Sequence, residues 1–124
     1  MKHVTHISDT PWTPHQIEGS KGFHFNFEIL GAEYTNAYSM DIVRVEQGGY
    51  SPMHIDPDNH AFYVVDGEGE IDIADSRYQV QAGAVVRIPR GVVHAVRNVG
   101  NGDLVLLTIY DPPRIRNALK SRTA

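Results

Sequence analysis

At 124 residues and 13.8 kDa the chain is the size of one ordinary domain, with room for a single hydrophobic core and not two. A hydrophobic content of 41% and a charged content of 21% are those of a globular chain and exclude a disordered one. The formal net charge of −4 argues against a nucleic-acid partner held by phosphate neutralisation. There is no cysteine, so no disulfide can brace the fold and no thiolate can act as ligand or nucleophile. Any metal would be held by nitrogen and oxygen. The start, "MKHVTHISDTPW", lacks the apolar run of a leader, and no segment approaches the roughly 20 apolar residues of a membrane span, so the expectation is a soluble, cytoplasmic protein without a membrane partner.

Residues 1–22 carry Pro11, Pro14, Gly19 and Gly22 with little periodicity, and read as an irregular arm. "FHFNFEI" then alternates, with Phe23, Phe25, Phe27 and Ile29 on one face and His24, Asn26 and Glu28 on a solvated one. Short strands follow at "AYSMDIVRVE", "FYVV", "EIDIA", "RYQVQ", "VVRIP", "HAVRNV" and "LVLLTIY". Between them, Asp66-Gly67 favours a tight hairpin, Asp75-Ser76 separates two strands, and Gly100-Asn101-Gly102-Asp103 tolerates positive φ. No helix-period segment intervenes, which predicts an all-β antiparallel sandwich or barrel. After Tyr110, "DPPRIRNALK" is expected to start a short C-terminal helix, with Asp111 as cap and the prolines in its first turn. Arg114, Arg116, Lys120 and Arg122 would form its solvated face.

One stretch carries chemistry. In "SPMHIDPDNHAF" (51–62), His54 and Asp56 would project to one side of a strand, Pro57 would end its pairing, and "PDN" would reverse the chain so that His60 opens the next strand. Paired as a hairpin, the two strands would bring two imidazoles and a carboxylate together. The same residues serve equally well as an exposed polar hairpin.

The second half of the chain separates these readings. "GAVVRIPRGVVHAVRN" sets Gly83, Pro89, Gly91, His94 and Asn98 at the spacing of the second cupin motif, and the chain resembles a cupin over about residues 36–110. Gly48, His54 and Gly67 match the family's first motif. Asp56 replaces its usual second histidine, and His60 falls where a glutamate is common, as in a subgroup with an HxHPxxH pattern and four histidine ligands. The resemblance implies one cupin domain spanning 1–124, a jelly-roll barrel (double-stranded β-helix) with its core at about 23–110. It also implies a metal held by His54, Asp56, His60 and His94.

Imidazoles with a carboxylate suit one divalent transition metal, iron or manganese first and nickel or zinc next. With His60 bound weakly, His54, Asp56 and His94 would form the two-histidine, one-carboxylate triad of non-haem iron oxygenases. Arg44 or Arg87 could serve a 2-oxoglutarate cosubstrate, but nothing selects either. Strand parity puts Phe62 and Val64 with His60 and sets Tyr63 and Val65 outward. Tyr50, sharing a side with His54, is the nearest candidate acid or base. Leu104, Leu106, Thr108 and Tyr110 form one face of the last strand, so Thr108 and Tyr110 are pocket candidates. Val105, Leu107 and Ile109 make its other face apolar as well, which points to a homodimer. The expected function is a metal-dependent oxygenase of a small organic substrate, with a redox-neutral lyase or isomerase and a non-enzymatic ligand binder as alternatives.

Overall fold

A computed structural model describes residues 1–14 and 17–115 of the chain. A 3-10 turn at Ile7–Asp9 is followed by β1 (Thr13–Pro14), β2 (Lys21–Leu30), β3 (Ser39–Tyr50), β4 (Asn59–Asp66) and β5 (Glu68–Ile73). Then come β6 (Ser76–Gln81), β7 (Val85–Ile88), β8 (His94–Asn98) and β9 (Leu104–Asp111). Every pairing is antiparallel, in the order β6-β5-β8-β3-β9-β4-β7, with β2 on the other side of β3 and β1 on β2. The all-β jelly roll expected from the sequence is the fold, and each predicted strand is present as β2 to β9. Among the described residues no helix is long and apolar enough to cross a membrane.

The sheet curls because its strands bury only one face. On β9 Leu104, Leu106, Thr108 and Tyr110 are buried, while Ile109 is exposed. On β4 Phe62 and Val64 point inward, with Tyr63 and Val65 on the surface. The register sets His60 opposite Tyr110 and Phe62 opposite Thr108, so a period of two carries all four side chains to the interior. Phe25, Val43, Val45, Ile71, Val96 and Leu106 complete a core in which each large side chain contributes about 1.5–3 kcal/mol of burial.

Four local expectations differ from the structure. Asp66-Gly67 is a corner and not a hairpin, since β4 pairs with β7 and β9 while β5 pairs with β6 and β8. Gly67 has φ +90°, and a Cβ there would sit 2.5 Å from the Asp103 carbonyl oxygen, so the crossing requires glycine. The hairpin between β5 and β6 turns at Ala74-Asp75, with Ile73 opposite Ser76.

The polar face of β2 is covered and not solvated. Asn26 is buried, and its amide donates to the carbonyls of Ile7 and Thr10 at 3.3 Å each, which fastens the arm across the strand. His24 is half-buried, 2.7 Å from Glu46 Oε1.

Asp111 does not cap a helix. It ends β9 opposite Asn59, and Pro112 to Ile115 have no helical turn. The rest of the expected helix, with Arg116, Lys120 and Arg122, lies outside the described residues.

Candidate metal centre

The site is assembled by a pairing other than the expected hairpin. His54 does not lie in a strand that pairs with β4. It forms an isolated antiparallel bridge with His94 at the start of β8, each residue donating its N–H to the other's carbonyl at 2.9 Å. Directly opposed residues of an antiparallel pair project to the same side, so two histidines 40 positions apart in sequence are fixed with ring centroids 4.3 Å apart. Asp56 follows two residues after His54, and His60 enters from β4.

The second motif supplies the frame. Gly91, with φ +81°, donates its N–H to the Asp56 carbonyl at 3.1 Å, and the Arg90 N–H bonds Asn59 Oδ1 at 2.9 Å. The Pro89–Gly91 turn thus grips the loop that carries Asp56. Asn98 organises the β8–β9 connection, donating to Val45 and Gly102 and accepting from Gly100. Of that motif only His94 enters the site.

The orientation of the donor atoms tests whether a metal fits. His54 donates Nδ1–H to the Pro52 carbonyl at 2.8 Å, and His94 donates Nδ1–H to the Val92 carbonyl at 2.9 Å. A carbonyl only accepts, so in both neutral rings Nε2 is the unprotonated nitrogen. Both Nε2 atoms face Asp56 Oδ2, His94 at 3.1 Å and His54 at 3.5 Å, and His60 Nδ1 lies 3.5 Å from the same oxygen. Asp56 Oδ2, His94 Nε2 and both ring nitrogens of His60 are buried without a hydrogen bond. In the neutral rings the Nε2 lone pairs of His54 and His94 are held against the Asp56 oxygen, which is costly unless a proton or a metal cation lies between them. Donors bonded at about 2.1 Å to one ion are separated by roughly 3.0–3.4 Å, close to the spacing observed. His54, Asp56 and His94 each offer an atom, all within 4.8 Å of one another. The donor set therefore fits a divalent ion.

Arg114 was expected on a solvated helix face. Instead it reaches the site, bonding Asp58 through Nε at 2.7 Å and Nη2 at 3.0 Å, with Nη2 also 3.0 Å from Asp56 Oδ1. Its guanidinium carbon lies 3.9 Å over the Tyr110 ring, and His60 stacks on that ring at 4.8 Å. Burial pulls the Asp56 carboxyl upward, but the three imidazoles, where they carry a proton toward it, and Arg114 outweigh it and hold the group well below the usual carboxylate range. The Asp56 carboxylate raises His54, whereas burial pushes His60 down. These directions favour an ionised Asp56 and a neutral His60, the states a metal ligand needs, and a proton on His54 that a bound metal would displace.

The interior beside these residues is a cavity of about 60 Å³ whose walls include Phe23, Phe25, Phe62, Thr108 and Tyr110, with Ile17 and Ser20 of the arm at its margin. Phe62, Thr108 and Tyr110 line this cavity. Tyr50 does not: β3 ends at this residue, it is 44% exposed, and Ser51 lines the cavity in its place. The chain leaves regular strand geometry after Tyr50, which breaks the parity that linked it to His54. Arg114, Asp58 and Ser51 were missed by sequence reasoning. Arg114 and Asp58 are 56 residues apart, and no periodicity connects them.

A curled antiparallel sheet with two histidines and a carboxylate converging on its interior offers a candidate metal site in a β-barrel fold. The family model for the cupin domain matches residues 41–110, and the chain belongs to that family. No curated protein matches the sequence. Among solved structures, the polyketide cyclase RemF from Streptomyces resistomycificus is 19% identical with a TM-score of 0.80, covering 90% of this chain and 80% of its own. A predicted oxalate decarboxylase from Thermotoga maritima is 22% identical with a TM-score of 0.77, covering 88% and 98%. An RmlC-like cupin from Shewanella frigidimarina is 18% identical with a TM-score of 0.73, covering 96% of each chain. At these identities the likeness is one of fold.

Proposed function

We propose that the chain is a metal-dependent oxygenase of small organic molecules, with His54, Asp56 and His94 as its ligand set and His60 as a further nitrogen donor. The observation that carries this reading is the convergence of two Nε2 atoms, their rings fixed by Nδ1–H bonds to the Pro52 and Val92 carbonyls, on one carboxylate oxygen that has no hydrogen bond. Two imidazoles and one carboxylate favour iron or manganese, ahead of nickel or zinc. When bound, such an ion supplies Lewis acidity and access to dioxygen chemistry.

The protein's own residues do the rest. Phe23, Phe25 and Phe62 keep water from the inner wall and favour an apolar substrate body, while Thr108 and Tyr110 put two hydroxyls at its base. Arg114 is engaged by Asp58 and Asp56, Arg44 lies 5.1 Å from the Trp12 ring, and Arg87 is exposed on β7. Among the described residues this leaves no uncommitted cation in the cavity for a 2-oxoglutarate cosubstrate. The redox-neutral reading loses its named base, because Tyr50 is outside.

The test is oxygen uptake coupled to product formation by the iron-loaded protein, across a panel of small uncharged substrates. Uptake that disappears in His94→Ala supports the oxygenase. Turnover without uptake would make the protein a lyase or isomerase, and ligand-induced stabilisation without turnover would make it a binding protein.

We also propose self-association through the outer face of β9, β4 and β7. Tyr63, Val65, Val85 and Ile109 are exposed there, and the register sets Tyr63 beside both Val85 and Leu107. Light scattering should give a dimer that Tyr63→Lys with Val85→Glu converts to monomer; a monomeric parent protein would overturn this.

A further inference from the structure

We infer that Arg114 and Asp58 form a latch that reserves one oxygen of Asp56 and leaves the other to the metal, thereby setting the affinity of the site. This rests on the metal reading above. Asp58 is 4% exposed, and a carboxylate so buried requires a counter-charge. Arg114 meets it with a fork, Nε to Oδ2 and Nη2 to Oδ1, and Nη2 also forms an ion pair with Asp56 Oδ1 at 3.0 Å. The Arg114 backbone N–H donates to Ser39 Oγ at 2.9 Å, and the guanidinium plane is held over Tyr110. The main chain of Arg114 is therefore tied to the start of β3 and its guanidinium is held by Asp58 and Tyr110, and Asp56 receives only what remains of it. One carboxylate oxygen is occupied, and the other, Oδ2, is presented to the imidazoles.

Asp58 touches none of the imidazoles, yet it controls the ligand. Without its charge the arginine fork is free to turn to Asp56 and pair with both oxygens, competing directly with a cation. Arg114 is a positioning residue and Asp58 is what keeps it from becoming an inhibitor. The consequence is an unusual order of affinities. Asp58→Asn weakens metal binding, and adding Arg114→Met to it restores binding, although the double variant has lost more native contacts.

The experiment is titration of Mn(II) and Fe(II) into the full chain by calorimetry, with circular dichroism confirming the fold of each variant. The expected result is a loss of about 10–100-fold for Asp58→Asn, and recovery to within about threefold of the parent for the double variant. If the parent binds and Asp58→Asn binds equally well, or the double variant is no better than Asp58→Asn, the latch is wrong and the metal reading survives. If the parent binds neither ion, both fall. Should Asp58→Asn fail to fold, Arg114→Lys carries the test. An ammonium cannot fork onto Asp58 and reach Asp56 together, so Asp56 gains freedom to bind through both oxygens. The visible absorption of the Co(II)-loaded protein should then weaken as coordination number rises, and an unchanged spectrum overturns the latch.

Discussion

Two clusters in this protein combine carboxylates with cations, and they end in opposite states. On the outer face of β5, β6 and β8, Arg77 donates to Asp72 at 2.9 Å, Arg97 to Glu70 and Asp72 at 2.9 and 3.0 Å, and Gln79 to Glu70 at 2.7 Å. Gln79 with Arg97 holds Glu70 below its ordinary range, and Arg77 does the same for Asp72. Each carboxylate there is satisfied by the protein itself and stays in contact with water. At the inner cluster, Asp56 has a cation on one oxygen only, and the other oxygen faces three imidazoles without a hydrogen bond. A satisfied network at the surface contributes little and needs nothing more. An unsatisfied one in the interior is tolerated when something else completes it.

The strongest break in that contrast is to remove an inner ligand. His94→Ala and Asp56→Ala should each lower metal affinity by about a hundredfold or more while the far-ultraviolet spectrum is kept, as measured by calorimetry and elemental analysis. Unchanged metal content in Asp56→Ala would reduce Asp56 to a supporting group.

A smaller effect comes from pH. Imidazoles bind metal only when neutral, so the bound fraction should fall as pH drops below about 6. Asp56, already held far below its usual range, remains ionised there, so the loss follows the histidines. The Asp56 carboxylate raises His54, which moves the onset upward. Retention of metal at pH 4 would contradict the ligand set.

The smallest effects are expected outside the barrel. Arg77→Ala should leave metal content unchanged and shift the denaturation midpoint little, and that shift should shrink further as salt screens the cluster. Tyr50→Phe should likewise leave metal content and turnover unchanged, since its ring is on the surface. A Tyr50→Phe protein that binds metal but has lost turnover would return this phenol to the chemistry.

What the sequence revealed follows from what is local. Alternation on β2, β4 and β9 is a property of neighbouring residues, so these strands, and the inward places of Phe62, Thr108 and Tyr110, could be read directly. The glycines and proline around His94 also marked real backbone demands, since Gly91 has positive φ and its N–H holds Asp56. The pairing of strands was less accessible. Nothing in Asp66-Gly67 distinguishes a hairpin from a corner, and the bridge between His54 and His94 depends on how the sheet curls. Arg114 was hidden for a related reason, because a proline-flanked basic segment favours a solvated helix until Asp58 and Asp56 supply a buried destination for its charge.

The central claim is that the inner cluster is completed by an ion, and the most direct measurement is the metal content of the protein prepared without a histidine tag after growth with iron, manganese, nickel and zinc. The expected value is about one equivalent per chain, lost in His94→Ala. Less than about a tenth of an equivalent in the parent protein would contradict it.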